Sequence, residues 1–375
     1  PLSTIALFCL NAGMSPTIKI VLAVVTYLLW DTCYTLCDAP IFALPTAMTS
    51  SVKERSSFMT VGTVGGSLAA ALATVFLVPY AENNGYLKAA IIVAVVSFLA
   101  MSLISLFGKE RYKVKEEVLE KPASLRDTWE YLIHNKYLLY FYAYRMISGS
   151  IAVSMLIYVA KYCLGDVKYM SMVVAISVIP ICILFLFSGK IFKRFDKIVV
   201  YRFCMIATIL MNAITLFVGY QNRTLAIACL VVIAVLAILP SILMGAIPQD
   251  CVEYGTYKTE TRKEGITFAL QTFANKLTAA VATIITGGVL TFVGYDVAAE
   301  KAATEAHKVV EIAVSQATVS GMWKASFIVP IIGQLLAIGF LFAYNLRDKD
   351  VQIMSDCNAG KITKAEAEAL LSRKY

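Results

Sequence analysis

Apolar runs of about 20 residues recur along this chain with short polar loops between them, and that spacing constrains the fold more than any motif does. At 1.5 Å per residue, 20 residues of α-helix cross the roughly 30 Å hydrocarbon core of a bilayer. Lipid offers the backbone no hydrogen-bond partners, so a run of this length satisfies its own donors and acceptors as a helix. The runs predict nine complete spans: Ile18 to Ala47, Phe58 to Tyr80, Leu87 to Phe107, Tyr137 to Ala160, Met170 to Gly189, Ile198 to Tyr220, Leu225 to Pro248, Ile266 to Val293 and Ala325 to Tyr344. Leu2 to Ala12 reads as the tail of a tenth. Composition agrees, because 59% apolar and 15% charged residues with a mean hydropathy of +0.73 leave too little polar surface for a soluble domain. The expected class is an all-α integral membrane protein.

Charge then sets the topology. The formal net charge of +8 is spread over loops and is not gathered with stacking aromatics, which argues against a nucleic-acid partner. Lys53 and Arg55, Lys109 to Lys115, Lys190 to Lys197, Lys258 to Lys263 and the tail from Arg347 all fall on one side of the expected bilayer. The opposite loops carry fewer cations near the span ends, so the positive-inside rule predicts a cytoplasmic C-terminus, and the chain is expected to be a multi-pass protein of the cell (plasma) membrane acting as a monomer. The nine cysteines show no metal-ligand spacing and read as small apolar fillers, and with only His134 and His307 a histidine-built metal or nucleophilic site is not expected. A membrane-embedded enzyme would need a nucleophile with its base, or a metal cluster, and the sequence offers neither.

Similar punctuation recurs six spans apart. The first span ends in Leu44-Pro45-Thr46 and passes through Lys53-Glu54-Arg55 to Phe58; the seventh ends in Ile247-Pro248-Gln249-Asp250 and passes through Arg262-Lys263-Glu264 to Phe268. Parallel six-span repeats with a substrate site near the midplane are the plan of the major facilitator fold. On that plan nine complete helices and a partial one stand for an expected twelve, three spans being missing from the front, and Pro1 in place of an initiator Met agrees with a truncated record. The expected domains are an incomplete N-terminal bundle (1–107), a cytoplasmic linker between the halves (108–136), a C-terminal six-helix bundle (137–345) and a cytoplasmic tail (346–375). Within the linker Ser124 and Asp127 resemble a helix cap, and Leu125, Trp129, Leu132 and Ile133 form one apolar stripe, predicting a short helix along the membrane surface. Asp296 to Ser320 and Thr363 to Lys374 read as solvated helices.

The polar residues inside the spans are the candidates for function. Asp31, Thr35, Asp38 and Phe42 recur at helical spacing, so one face of the first span carries two carboxylates, a hydroxyl and a ring. A carboxylate at membrane depth costs about 3 kcal/mol on insertion scales, which places Asp38 toward a cavity or a partner and away from lipid. Lys276, about ten residues inside the eighth span, carries the same implication. Arg145 in the fourth span either lines the cavity or snorkels. Gly62 and Gly66, with small residues following, read as close helix packing. Asp250 and Glu253, with Lys53, Glu54 and Arg55 in the matching loop, lie at equivalent span ends of the two halves, where opposite charges can form a cytoplasmic gate or serve only topology.

Four linked motifs give the chain a resemblance. They are Tyr34-Thr35-Leu36-Cys37-Asp38-Ala39-Pro40 running to Lys53-Glu54-Arg55, Tyr158 to Asp166, Asp250-Cys251-Val252-Glu253-Tyr254-Gly255-Thr256-Tyr257-Lys258, and Leu270-Gln271-Thr272-Phe273-Ala274-Asn275-Lys276 with Gly294-Tyr295. In these the sequence resembles the glycoside-pentoside-hexuronide:cation symporters of the major facilitator superfamily. The resemblance implies cation-coupled symport of a sugar or glycoside, with Na+ or H+ as the coupling ion and no other cofactor. It implies that Asp38 binds sugar hydroxyls, that Thr35 belongs to the cation site, where a Na+ would be the one metal ion bound, and that Gln271, Thr272 and Lys276 form the polar face opposite the sugar. Phe42 stands where the family has a stacking tryptophan, and Thr63 where it has a sugar-binding arginine. Both departures leave open a non-sugar solute, or a ligand-binding sensor that does not transport.

Overall fold

The computed structural model describes residues 1–9, 15–48, 61–62, 65–66, 68–107, 125–152, 155–260, 264–296, 314–358, 360–373 and 375. Among the described residues all regular structure is helical. The chain divides into two compact units, Pro1–Glu120 and Lys121–Tyr375. Seven helices among the described residues are long and apolar enough to cross a membrane. Their outer faces are bare of polar cover: Leu186 is 80% exposed, Phe217 87% and Phe292 90%. Rings and leucines exposed to this degree along several helices are lipid-facing surface, since in water such a surface would aggregate.

Unit 1 contains α1 (Leu2–Phe8), α2 (Pro16–Met48), α3 (Val78–Asn84) and α4 (Tyr86–Phe107). The α1 helix packs on α2 and α4 and is tied down by Trp30, whose Nε1 donates to Thr4 Oγ1 at 3.2 Å. The Trp30 ring in turn stacks on Tyr34 at 5.6 Å. Pro79 has no N–H to give to the carbonyl of Val75, and the chain widens into a π-turn over Ala73–Leu77 just before it.

Unit 2 contains α5 (Leu125–His134), α6 (Lys136–Ser150), α7 (Lys168–Arg194), α8 (Lys197–Val218), α9 (Arg223–Leu236), α10 (Ile238–Thr259), α11 (Glu264–Phe292), α12 (Gln316–Ala343), α13 (Asp348–Asn358) and α14 (Lys364–Leu370). Two apolar cores hold it. One gathers Leu138, Phe141, Tyr144, Tyr201, Leu243 and Ile247. The other gathers Met155, Val159, Ala226, Met322, Trp323 and Phe327.

The seven helices and the nine expected spans differ for identifiable reasons. Residues 58–60, 63–64 and 67 of the expected span Phe58 to Tyr80 lie outside the described residues, and the π-turn over Ala73–Leu77 interrupts the α-helix of the remainder. The expected span Tyr137 to Ala160 is not one helix: α6 stops at Ser150, Ile151 and Ala152 are not helical, and a short helix over Leu156–Tyr158 leads into a π-turn over Val159–Cys163. Sidedness is also richer than a stripe shows in α5. Trp129 and Ile133 of the predicted stripe are exposed, whereas Tyr131 is buried against the bundle. Behind it sits Asn135, which is fully buried, caps α6 by accepting from the Leu138 N–H at 3.2 Å, and donates to the Cys251 carbonyl at 2.7 Å. The backbone of α10 can approach this node because residue 255 is glycine; a Cβ there would lie 2.7 Å from both Asn135 Nδ2 and Tyr131 Oη. Ser124, the expected cap, lies outside the described residues.

The tail is also docked, where the sequence reads as solvated. A capping box of Thr363 and Glu366 starts α14, and Ala367 packs in the same core as Val351 and Met354 of α13. Tyr375 closes the packing with its ring 6.0 Å from Tyr137 and 6.2 Å from Tyr254.

Candidate functional site

The expected site residues divide between the units. In unit 1, α2 carries Thr35, Asp38 and Phe42 on one helix, as the spacing requires. The Thr35 side chain is exposed, and its hydroxyl donates back to the Asp31 carbonyl at 2.8 Å. The side chains of Asp38 and Phe42, and the whole of Thr63, Lys53, Glu54 and Arg55, lie outside the described residues.

In unit 2, α11 presents the polar face. Gln271 is half-buried and donates to the Met244 carbonyl at 3.1 Å, so its amide is oriented by α10. That carbonyl lies four residues before Pro248, which has no N–H to give it, so the Gln271 side chain supplies the missing donor. Thr272 and Lys276 are exposed on the opposite side from the buried row Thr267, Ala274 and Thr278. The α11 helix is therefore two-sided: one stripe is packed inward against α6, and the other carries the hydroxyl and the ammonium.

The charges expected at the gate have partners inside unit 2. Lys197 Nζ lies 2.6 Å from Asp250 Oδ2 and 3.7 Å from Asp348 Oδ1, and the Lys197 N–H donates to Asp348 Oδ2 at 3.1 Å. Asp250 is only 9% exposed, so this cluster is a shielded one. Glu253 accepts from Asn358 Nδ2 at 2.9 Å. Sequence reasoning did not foresee Lys197, Asp348 or Asn358 as partners, since each is an ordinary polar residue far along the chain. Arg202 was likewise unforeseen; its guanidinium caps the end of α12 through the carbonyls of Leu341 at 3.2 Å and Tyr344 at 2.6 Å.

Two neighbouring carboxylates of α13 behave oppositely. Burial pushes Asp348 up, against the pull of Lys197. For Asp350 burial also pushes up, but hydrogen bonds from Ser372 and Tyr375 prevail and hold it below the usual range. These bonds are short: Ser372 Oγ at 2.6 Å, Ser372 N at 2.9 Å and Tyr375 Oη at 2.5 Å. Ionised Asp350 thus favours the docked tail. That contribution is complete above about pH 4, where the free carboxyl is also ionised, and fades as the pH falls through the lower value of the docked group. Asp350→Asn is expected to release residues 360–375 at neutral pH, seen as faster hydrogen exchange there with the rest of unit 2 unchanged. Exchange equal to that of the parent protein would deny the carboxylate this role.

Comparison with known proteins decides the family. The model of the MFS/sugar transport protein family matches residues 1–348. The chain belongs to that family. Its members are transport proteins, so the all-helical architecture is that of a multi-pass major facilitator protein and the chain is not an enzyme. Among curated relatives, an uncharacterized symporter of Bacillus subtilis is 28% identical over 78% of this chain and 65% of its own length. A putative sulfoquinovose importer of Escherichia coli is 26% identical over 88% of this chain and 70% of its own. An isoprimeverose transporter of Lactiplantibacillus pentosus is 23% identical over 95% and 74%. The chain thus spans about two thirds to three quarters of the length of these relatives.

Proposed function

We propose that the full-length protein is a secondary active transporter of the glycoside-pentoside-hexuronide type, which couples the downhill movement of Na+ or H+ to symport of a sugar or glycoside by alternating access. One observation carries this reading above the others: the sugar-transport family match extends through α11, whose Gln271, Thr272 and Lys276 stand in an otherwise apolar membrane-length helix. The printed substrates of the relatives, sulfoquinovose and isoprimeverose, support a carbohydrate. On this reading Asp38 and Phe42 bind and stack on the sugar ring, Thr35 contributes an oxygen to the cation, and the two halves rock about the shared site. The charges Asp250 and Glu253, with Lys53, Glu54 and Arg55, close the cytoplasmic side. The protein resides in the plasma membrane as a monomer with its C-terminus in the cytoplasm. A non-sugar solute is the second reading, favoured by Phe42 and Thr63 at positions where the resemblance calls for tryptophan and arginine.

Calorimetry of the purified full-length protein with a panel of sugars, each with and without Na+ and at two pH values, tests the reading. Coupling is reciprocal, so a cation that is co-transported raises sugar affinity, typically about 5- to 150-fold. Binding of no carbohydrate at all would favour the second reading. Thr35→Ala is expected to cut the cation effect by about tenfold, on the order of one charge-assisted ligand, while leaving sugar affinity without the cation unchanged. An unaltered cation response would remove Thr35 from that site.

A further inference from the structure

Three arginines far apart in the sequence converge where α8 begins and α12 ends. A cavity of about 300 Å³ lies there, lined by Arg202 of α8, by Asn345 and Arg347 in the link from α12 to α13, and by Arg373 in the tail beyond α14. Among the described residues Asp196 is the one carboxylate that lines it. Three guanidiniums against one carboxylate leave an excess of two positive charges around an open space.

The donors of these arginines are available. Every hydrogen bond of Arg202 to the described residues is made by Nε and Nη2, which hold the carbonyls of Leu341, Phe342 and Tyr344 and the Asn345 side-chain oxygen, so Nη1 keeps both its donors. Arg347 and Arg373 are exposed, and neither forms an ion pair among the described residues. The carboxylates next to them in the chain are engaged elsewhere: Asp348 by Lys197, and Asp350 by Ser372 and Tyr375, so that Asp350 feels the Arg347 charge without pairing to it. The docked tail thus gathers guanidiniums and withholds the anions that would neutralise them. Planar forks of this kind match the oxygens of a phosphate.

The cavity lies at the lipid boundary. The α8 helix starts at Lys197 and α12 ends at Ala343, and both are of membrane-crossing length, so these ends mark the level of the headgroups. Exposed apolar side chains continue from there along the same two helices. Val199 lines the cavity, Phe203 follows one turn later, and the Phe342 ring lies 5.2 Å from the Arg202 guanidinium; all three are exposed. Positive charge at headgroup level with bare apolar surface beginning beside it suits an amphiphile, whereas a soluble anion would use the charge alone. The side read above as cytoplasmic is also the one where anionic lipid is concentrated.

We propose that this cavity binds the phosphate headgroup of an anionic phospholipid, whose acyl chains lie along the exposed faces of α8 and α12. By joining Arg202 and Arg347 to Arg373, the headgroup ties the tail to the membrane-spanning bundle, whatever solute the protein carries. The test is binding of dioleoylphosphatidylglycerol to the purified full-length protein in detergent, measured by microscale thermophoresis beside dioleoylphosphatidylcholine and inorganic phosphate. The parent is expected to prefer the anionic lipid by at least about tenfold. Each cation at a headgroup contributes about fivefold, so Arg347→Gln and Arg373→Gln together should weaken the anionic lipid by about 30-fold, and either alone by about fivefold, with the neutral lipid unchanged. Arg202 stays in place because it also holds the end of α12. Lys136→Gln with Lys190→Gln removes two exposed cations from the same side that do not line the cavity, and should alter the affinity by less than about twofold. Inorganic phosphate, without the apolar contact, should bind at least about 100-fold more weakly than the lipid. Equal losses in the two double variants would make the attraction one of diffuse surface charge, and equal affinity of the parent for the two lipids would remove charge recognition; either result overturns the site. Phosphate bound as tightly as the lipid would make the cavity a site for a free anion and overturn the lipid.

Discussion

Asp38→Asn is expected to lower the sugar affinity of the full-length protein by about 100-fold while leaving its insertion and its thermal stability intact. A carboxylate offers a pyranose two charge-assisted acceptors, each worth about 1.5–3 kcal/mol. The amide keeps one neutral acceptor and replaces the other with a donor, so the net loss is about 3 kcal/mol, or roughly 100-fold. Insertion does not suffer, because a neutral amide enters the bilayer at lower cost than a carboxylate. Labelled-sugar binding to detergent-purified protein, with size-exclusion profiles as the control for folding, measures both halves of the expectation. Unchanged affinity would take Asp38 out of the site, and loss of the folded peak would make it a structural residue.

Lys197→Met carries the largest expected cost in stability. The ammonium lies 2.6 Å from Asp250 and 3.7 Å from Asp348, with Asp250 9% exposed. Removing the cation leaves two carboxylates facing each other in a shielded place. Breaking such a pair from one side costs about 3–5 kcal/mol, whereas replacing both partners with apolar groups of similar size is often neutral. The double variant Lys197→Met with Asp250→Leu should therefore recover most of the loss, and thermal unfolding in detergent reads the cycle. If the single variant unfolds at the parent temperature, the cluster is a surface pair with no structural weight. Because Asp348 belongs to α13, the same cluster ties the tail to α8 and α10, and Lys197→Met should also speed exchange in α13.

What the sequence makes legible follows from the range of the forces involved. Helices long enough to span are visible because hydropathy is a local sum, and Lys168 to Arg194 or Gln316 to Ala343 differ from the expected spans mainly at their ends. The stop after Ser150 is not visible, because the residues beyond it, Ile151 to Ala160, are as apolar as those before. Local sums cannot see a break that tertiary packing imposes. The Lys197 and Asp250 charges are each plain in the sequence, yet they are 53 residues apart and read there as topology and as gate. Their pairing is a property of how α8 meets α10. Asn135 hides for the same reason: its cap to Leu138 is local, but its bond to Cys251 spans 116 residues. Tyr375 and Asp350 show that a polar, alanine-rich tail can dock when a few aromatic and carboxylate contacts converge on it. Gln271, Thr272 and Lys276 stand out as polar residues within a membrane-length helix without any knowledge of the fold, but the bond of Gln271 to the Met244 carbonyl depends on how α11 meets α10.

Coupled accumulation is the property on which the functional reading turns. Proteoliposomes containing the full-length protein, loaded to hold an inward Na+ or proton gradient and supplied with a labelled sugar that the protein binds, measure it directly. Internal sugar rising above the external concentration, and falling back when an ionophore collapses the gradient, is the predicted result. Uptake that stops at equilibrium whether or not the gradient is present would contradict cation coupling, and binding with no uptake at all would make the protein a sensor.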